Sequence, residues 1–186
     1  MISIEEAREL LEREIENDAL RKHMLAVSAI MAALADKLAI ADVDKEKWAL
    51  VGLLHDLDYE RTSDNFRQHG LVTAGLLTGK LPEECLEAIK AHNEQTGSEP
   101  SSVMATALIA ADAVSGLIVP TALMMPSRRL ADVHVTSLTK KYNDKSFART
   151  VDRAAIMRCV ELGLERNEFF ELALTALQKI SAELGV

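Results

Sequence analysis

Cysteine is scarce in this 186-residue chain, and the two present, Cys85 and Cys159, form no CxxC pair and no disulfide framework. Both read as small apolar residues packed in a reducing compartment. Aromatic residues make up only 4%, which excludes the aromatic and β-branched bias of sheet proteins. Basic charge is also in deficit: 21 Lys and Arg stand against 29 Asp and Glu, a formal net charge of −8. Such a chain has no general attraction for a nucleic-acid polymer or an anionic membrane, although a local basic patch can still receive a small phosphorylated ligand. The first residues, MISIEEARELLEREIEN, lack the basic start and continuous apolar core of a secretory signal, so a cytoplasmic protein is expected. The longest nearly uncharged stretch, Ser101 to Ser127, carries Asp112, Gly116, Pro120 and Pro126, and reads as a core helix followed by a loop.

What the chain does contain is alanine and aliphatic residues at helical intervals, within a 48% hydrophobic composition. The length suits one domain. Ser3 and Glu6 make a capping pattern for a first helix to about Asn17, and Leu20, Met24, Val27, Met31, Leu34 and Leu38 mark a second. Ala39 to Asp42 connect to a helix beginning near Val43, carried by Trp48, Val51, Gly52 and His55 and ending near Asp58. Tyr59 to Gln68 reads as a loop, and His69 to Leu77 as a short helix. Pro82 opens the next helix, which Gly97 and Pro100 stop. A long helix is expected from Ser101 to about Gly116, then an irregular segment from Pro120 to Ser146. Two helices follow, Phe147 to Leu162 and Asn167 to Leu184, with Gly163 and Gly185 as stops. The class is all-α, with no run of alternation long enough for a buried strand.

Asp112 is the only charged residue between Glu99 and Arg128, inside ALIAADAVSGLIV. On a helix it shares a face with Ala105, Leu108 and Ser115, where an unpaired charge is costly, so it needs a metal ion, an arginine or a helix N-terminus. His23 lies on the face of Val27, Ile30 and Leu34, and His55 on that of Trp48 and Val51. A lone inward histidine is usually a hydrogen-bonded core residue; several together, with the adjacent pair His55-Asp56, point to a shared cation.

In this order, His23, His55-Asp56 and Asp112 resemble the H…HD…D signature of the HD superfamily of metal-dependent phosphohydrolases, and LLHDLDYE is similar to its HDIG-type subgroup. The likeness runs from about Leu20 to the C-terminus, through HNEQTG, ALIAADAVSGLI and SLTKKYNDKSFA. The resemblance implies a single HD-domain helical bundle, with His23, His55, Asp56 and Asp112 holding one divalent ion: manganese, iron, zinc, nickel, cobalt or magnesium. Some members hold two ions bridged by the HD aspartate. His69 and His92 stand in the right order for the second, or else contact phosphate or support a ligand from behind. His134, beside Asp132 and Thr136, reads as a solvated loop histidine.

A bound divalent ion lowers the pKa of its water toward about 7. Asp58 and Glu94 are the candidate carboxylates to position or deprotonate that water. Lys140, Lys141, Lys145, Arg149 and Arg153 form the densest basic cluster, and with Arg61 and Arg67 are candidates to bind substrate phosphate. The expected activity is hydrolysis of a small phosphate ester, a nucleotide being one option. The alternatives are a di-iron oxygenase of the same superfamily and a non-catalytic metal-containing module. Substrate and oligomeric state are not legible.

Overall fold

A computed structural model describes residues 1–38 and 44–186, so the connection over Ala39 to Asp42 and the helix start near Val43 lie outside the described residues. Helices follow one another throughout: α1 (Ile4–Glu14), α2 (Asp18–Leu38), α3 (Lys45–Leu54), α4 (Leu71–Leu77), α5 (Glu83–Ala91), α6 (Val103–Met124), α7 (Val135–Asn143), α8 (Arg153–Met157), α9 (Arg166–Lys179) and α10 (Ser181–Leu184). Among the described residues there is no strand, only an isolated bridge between Thr78 and Leu81. The chain is all-α.

Local chemistry sets the helix starts. Ser3 and Glu6 form a reciprocal capping box on α1, Asp44 caps α3 through the Lys47 amide, and Ser102 caps α6 through that of Ala105. Helix α6 is apolar around most of its circumference, and a helix of that kind belongs in the interior. It packs against α2, α3, α5, α7, α8 and α9, with Ala107, Leu108, Ala110, Ala111, Val114, Leu117 and Ile118 fully buried. Among the described residues it is the one helix long and apolar enough to cross a membrane, and 67% of its most apolar window is buried inside the fold.

Helices α2 and α3 meet at Gly52. A Cβ at Gly52 would lie 2.8 Å from both Cα and N of Ser28, while Ser28 Oγ donates to the Ala49 carbonyl at 2.8 Å. Backbone therefore rests on backbone, and this contact brings the rings of His23 and His55 to 5.4 Å between centroids.

The structure corrects four sequence expectations. Helix α6 does not stop at Gly116 but passes through Pro120 to Met124. A proline ring presses on the carbonyl four residues earlier; here that carbonyl belongs to a glycine, whose backbone adapts without a side chain to displace. The segment expected to be irregular contains α7, anchored by the buried Leu138. The helix expected from Phe147 starts only at Arg153 and continues as a 3-10 stretch over Arg158–Leu162, and the last helix breaks at Ile180. Gly163 and Gly185 adopt left-handed conformations at helix ends, as expected.

Candidate metal centre

Six side chains from five parts of the chain converge: His23 from α2, His55 and Asp56 at the end of α3, His69 just before α4, His92 just after α5, and Asp112 on α6. Asp56 lies in the middle. Its Oδ1 is 3.2 Å from His55 Nε2, 3.2 Å from His69 Nε2 and 3.3 Å from His92 Nε2, and its Oδ2 is 3.7 Å from His23 Nε2. His23 Nε2 is also 3.1 Å from Asp112 Oδ1, and the Nε2 atoms of His69 and His92 are 3.0 Å apart.

The far nitrogen of each ring decides what these near nitrogens are. His55 Nδ1 donates to the Gly52 carbonyl at 2.9 Å, and His92 Nδ1 to the Ile89 carbonyl at 2.5 Å. His69 Nδ1 donates to Asp58 Oδ1 at 2.8 Å. Ser115 Oγ gives its hydrogen to the Asp112 carbonyl, so at 3.0 Å it accepts from His23 Nδ1. Carbonyls and carboxylates only accept, which keeps a hydrogen on Nδ1 of His55, His69 and His92, as Ser115 does for His23, and leaves the four Nε2 atoms turned inward. Lone pairs facing carboxylate oxygens repel unless a cation joins them. His55 Nε2 is fully buried with no hydrogen-bond partner among the described residues. A buried orphan of that kind is expensive, and metal coordination satisfies it.

Electrostatics agree. Burial alone would raise the Asp56 carboxyl, yet His55, His69 and His92 bring it well below the usual carboxylate range. Burial pushes His55 down to about 4, favouring the neutral, ligating form. Burial would lower His69 too, but Asp56 and Asp58 draw it up to about 9; a field that holds a proton there also holds a cation. His23, His55 and Asp112 offer ligand atoms within 4.8 Å of one another, and so do His55, Asp56 and His92. The donor set fits one or two divalent ions.

Two neighbours that the sequence did not single out build this geometry. Ser115 holds His23, and Asn93 Nδ2 binds the carbonyls of Phe66 and His69 at 2.7 and 3.0 Å, fixing the segment that carries His69. The sequence hint for Asn93 was its place beside His92. Gly70 is required at φ 89, because a Cβ would lie 2.8 Å from the Ile89 carbonyl and 3.3 Å from the His92 ring.

Several candidates fall elsewhere. Asp58 is fully buried; besides His69, it accepts from the amides of Gly70 and Thr73 at 2.8 Å each, so both of its oxygens are engaged in fixing His69 and the start of α4. Glu94 lies exposed on a 3-10 turn, with no hydrogen bond or ion pair to the cluster among the described residues. Arg61 pairs with Glu14, and Arg67 is exposed on another turn. Lys140 and Lys141 lie in the last turn of α7, Lys141 standing 4.3 Å over the Phe147 ring. Arg153 is spent on backbone carbonyls of its own loop, which leaves it no free edge for phosphate. His134 is exposed at the start of α7.

An all-helical fold that gathers imidazoles and carboxylates around one buried aspartate defines a helical domain with a place for divalent metal. The HD domain profile matches residues 20–117, just over half of the chain, and the chain belongs to that family. Comparisons with curated proteins and with solved structures gave no match.

Proposed function

We propose that this protein is a metal-dependent phosphohydrolase of the HDIG type that acts on a small phosphate ester. The observation that carries this reading is the inward set of four imidazole Nε2 atoms around Asp56, with His55 Nε2 orphaned. His23, His55, Asp56 and Asp112 would hold one divalent ion; His69 and His92, sharing Asp56, would hold a second. Such ions supply polarisation of a phosphoryl oxygen and an acidified water.

The chain's own residues then divide the work. Asp58 keeps His69 in its ligating tautomer, and Ser115 does so for His23. Leu53, Leu54 and Leu57, which flank the HD pair in the chain, are buried. His23 and Asp112, the two partly exposed members, face incoming substrate. The test is phosphate release from a panel of small phosphate esters by the chain loaded with manganese, iron, zinc, nickel or cobalt; metal-loaded protein inert toward the whole panel would overturn the reading.

Four imidazoles against two carboxylates form a nitrogen-rich set, suited to iron or zinc better than to magnesium. That observation favours, as second reading, a di-iron oxygenase, which oxygen consumption by the iron-loaded protein would reveal. A metal-containing module without turnover would load metal and fail both assays.

A further inference from the structure

The open edge of the cluster borders a loop that the proposed reaction has not used. His23 and Asp112 leave 25% and 38% of their side chains exposed, whereas His55, Asp56, His69 and His92 are at 7% or less. His23 and Asp112 are therefore the members of the cluster most open to solvent. Gly116 lies one turn beyond Asp112 on the same face of α6, and a Cβ there would meet Val151 Cγ2 at 3.0 Å. Val151, and with it the end of the 144–152 segment, therefore lies against α6 one turn from Asp112, beside the serine that holds His23.

This loop is wound around Arg153. The guanidinium donates to the carbonyls of Phe147 at 2.5 Å, Ala148 at 2.6 Å, Val151 at 2.8 Å, Asp144 at 3.3 Å and Tyr142 at 3.5 Å. A trans peptide carries its C=O and the following N–H on opposite sides. Turning the carbonyls of Asp144, Phe147, Ala148 and Val151 inward therefore turns the amides of Lys145, Ala148, Arg149 and Asp152 outward. None of these four amides has a partner among the described residues. Ala148 holds φ 42, a left-handed conformation that non-glycine residues rarely adopt, and amides presented around such a residue form a concavity for anions.

The side chains add charge of the matching sign. Lys145 and Arg149 are exposed, and neither pairs with a carboxylate among the described residues. The loop's own acids are engaged: Asp144 accepts from the amide and hydroxyl of Ser146, and Asp152 from the Ala154 amide.

We propose that the 144–152 loop is an anion clamp at the mouth of the centre. Lys145, Arg149 and the outward amides of Ala148 and Arg149 receive a second phosphoryl group of a substrate whose first phosphoryl group goes to the cluster. Arg153 is a positioning residue that shapes the loop from within. The identity of the ligand as a substrate rests on the phosphohydrolase reading; the anion site itself does not.

The test is calorimetric titration of the metal-loaded full chain with inorganic pyrophosphate, alongside the phosphate-ester panel. The double variant Lys145→Gln, Arg149→Gln should weaken pyrophosphate binding by about tenfold or more, with metal content and melting temperature held. Arg153→Lys keeps the charge but cannot reach five carbonyls, so it should weaken pyrophosphate comparably and speed hydrogen exchange over residues 144–152. Wild-type protein that ignores pyrophosphate, or a double variant that binds it equally well, overturns the clamp. Loop-dependent pyrophosphate binding without release from any ester would sustain the clamp and remove the hydrolase; ester hydrolysis with loop-independent pyrophosphate binding would do the reverse.

Discussion

The two edges of the cluster are held by different means. On the closed edge, His55, His69 and His92 give their Nδ1 hydrogens to the Gly52 carbonyl, Asp58 and the Ile89 carbonyl, all inside the fold. Phe66 stacks on the His69 ring at 4.6 Å and Tyr59 meets it edge-on at 5.3 Å, closing that side further. On the open edge, His23 leans on a single hydroxyl, Ser115, and Asp112 faces partly toward solvent. Ligand geometry on the first edge is inseparable from folding, whereas on the second it can change at little cost to the rest of the molecule.

Breaking the centre where the edges meet should have the largest effect. Asp56→Ala removes the carboxylate shared by all four rings, and elemental analysis of the purified variant should find no stoichiometric metal while circular dichroism keeps its helical signal. Asp58→Ala strikes the closed edge alone. It should lower metal affinity by about 10–100-fold, the usual cost of losing a carboxylate behind a ligating histidine. It also leaves the amides of Gly70 and Thr73 unsatisfied, destabilising the fold by about 1–3 kcal/mol in denaturant titration.

Gly52→Ala adds a methyl group where helix backbones touch, and should destabilise by about 1–3 kcal/mol through overpacking, with a smaller drop in metal retention as His23 and His55 separate. Ser115→Ala, on the open edge, should have the least effect: metal affinity down by less than about tenfold, melting temperature nearly unchanged. If Ser115→Ala proved as damaging to stability as Asp58→Ala, the contrast between the edges would be wrong.

Much of this was legible before the fold was known. The order of His23, His55-Asp56 and Asp112, each on an apolar helical pattern, pointed to convergence because buried charge and imidazole need a common partner. The roles of Asp58 and Arg153 were not legible. A carboxylate in a polar stretch looks the same whether it awaits water or already holds three donors, and an arginine in a basic run looks the same whether it faces phosphate or five carbonyls. Pro120 misled for a related reason, since what a proline does to a helix depends on the residue four positions earlier, here Gly116. The three-dimensional environment, absent from linear spacing, decides each of these.

The contact at Gly52 has a bearing on how this protein can tolerate change. Because two main chains meet there directly, the distance from His23 to His55 is gauged by peptide backbone rather than by the bulk of any side chain between them. Swapping one aliphatic residue for another elsewhere in the interior can shift neighbouring helices while that span stays put. At that position even the smallest addition, a single carbon, forces the two main chains apart.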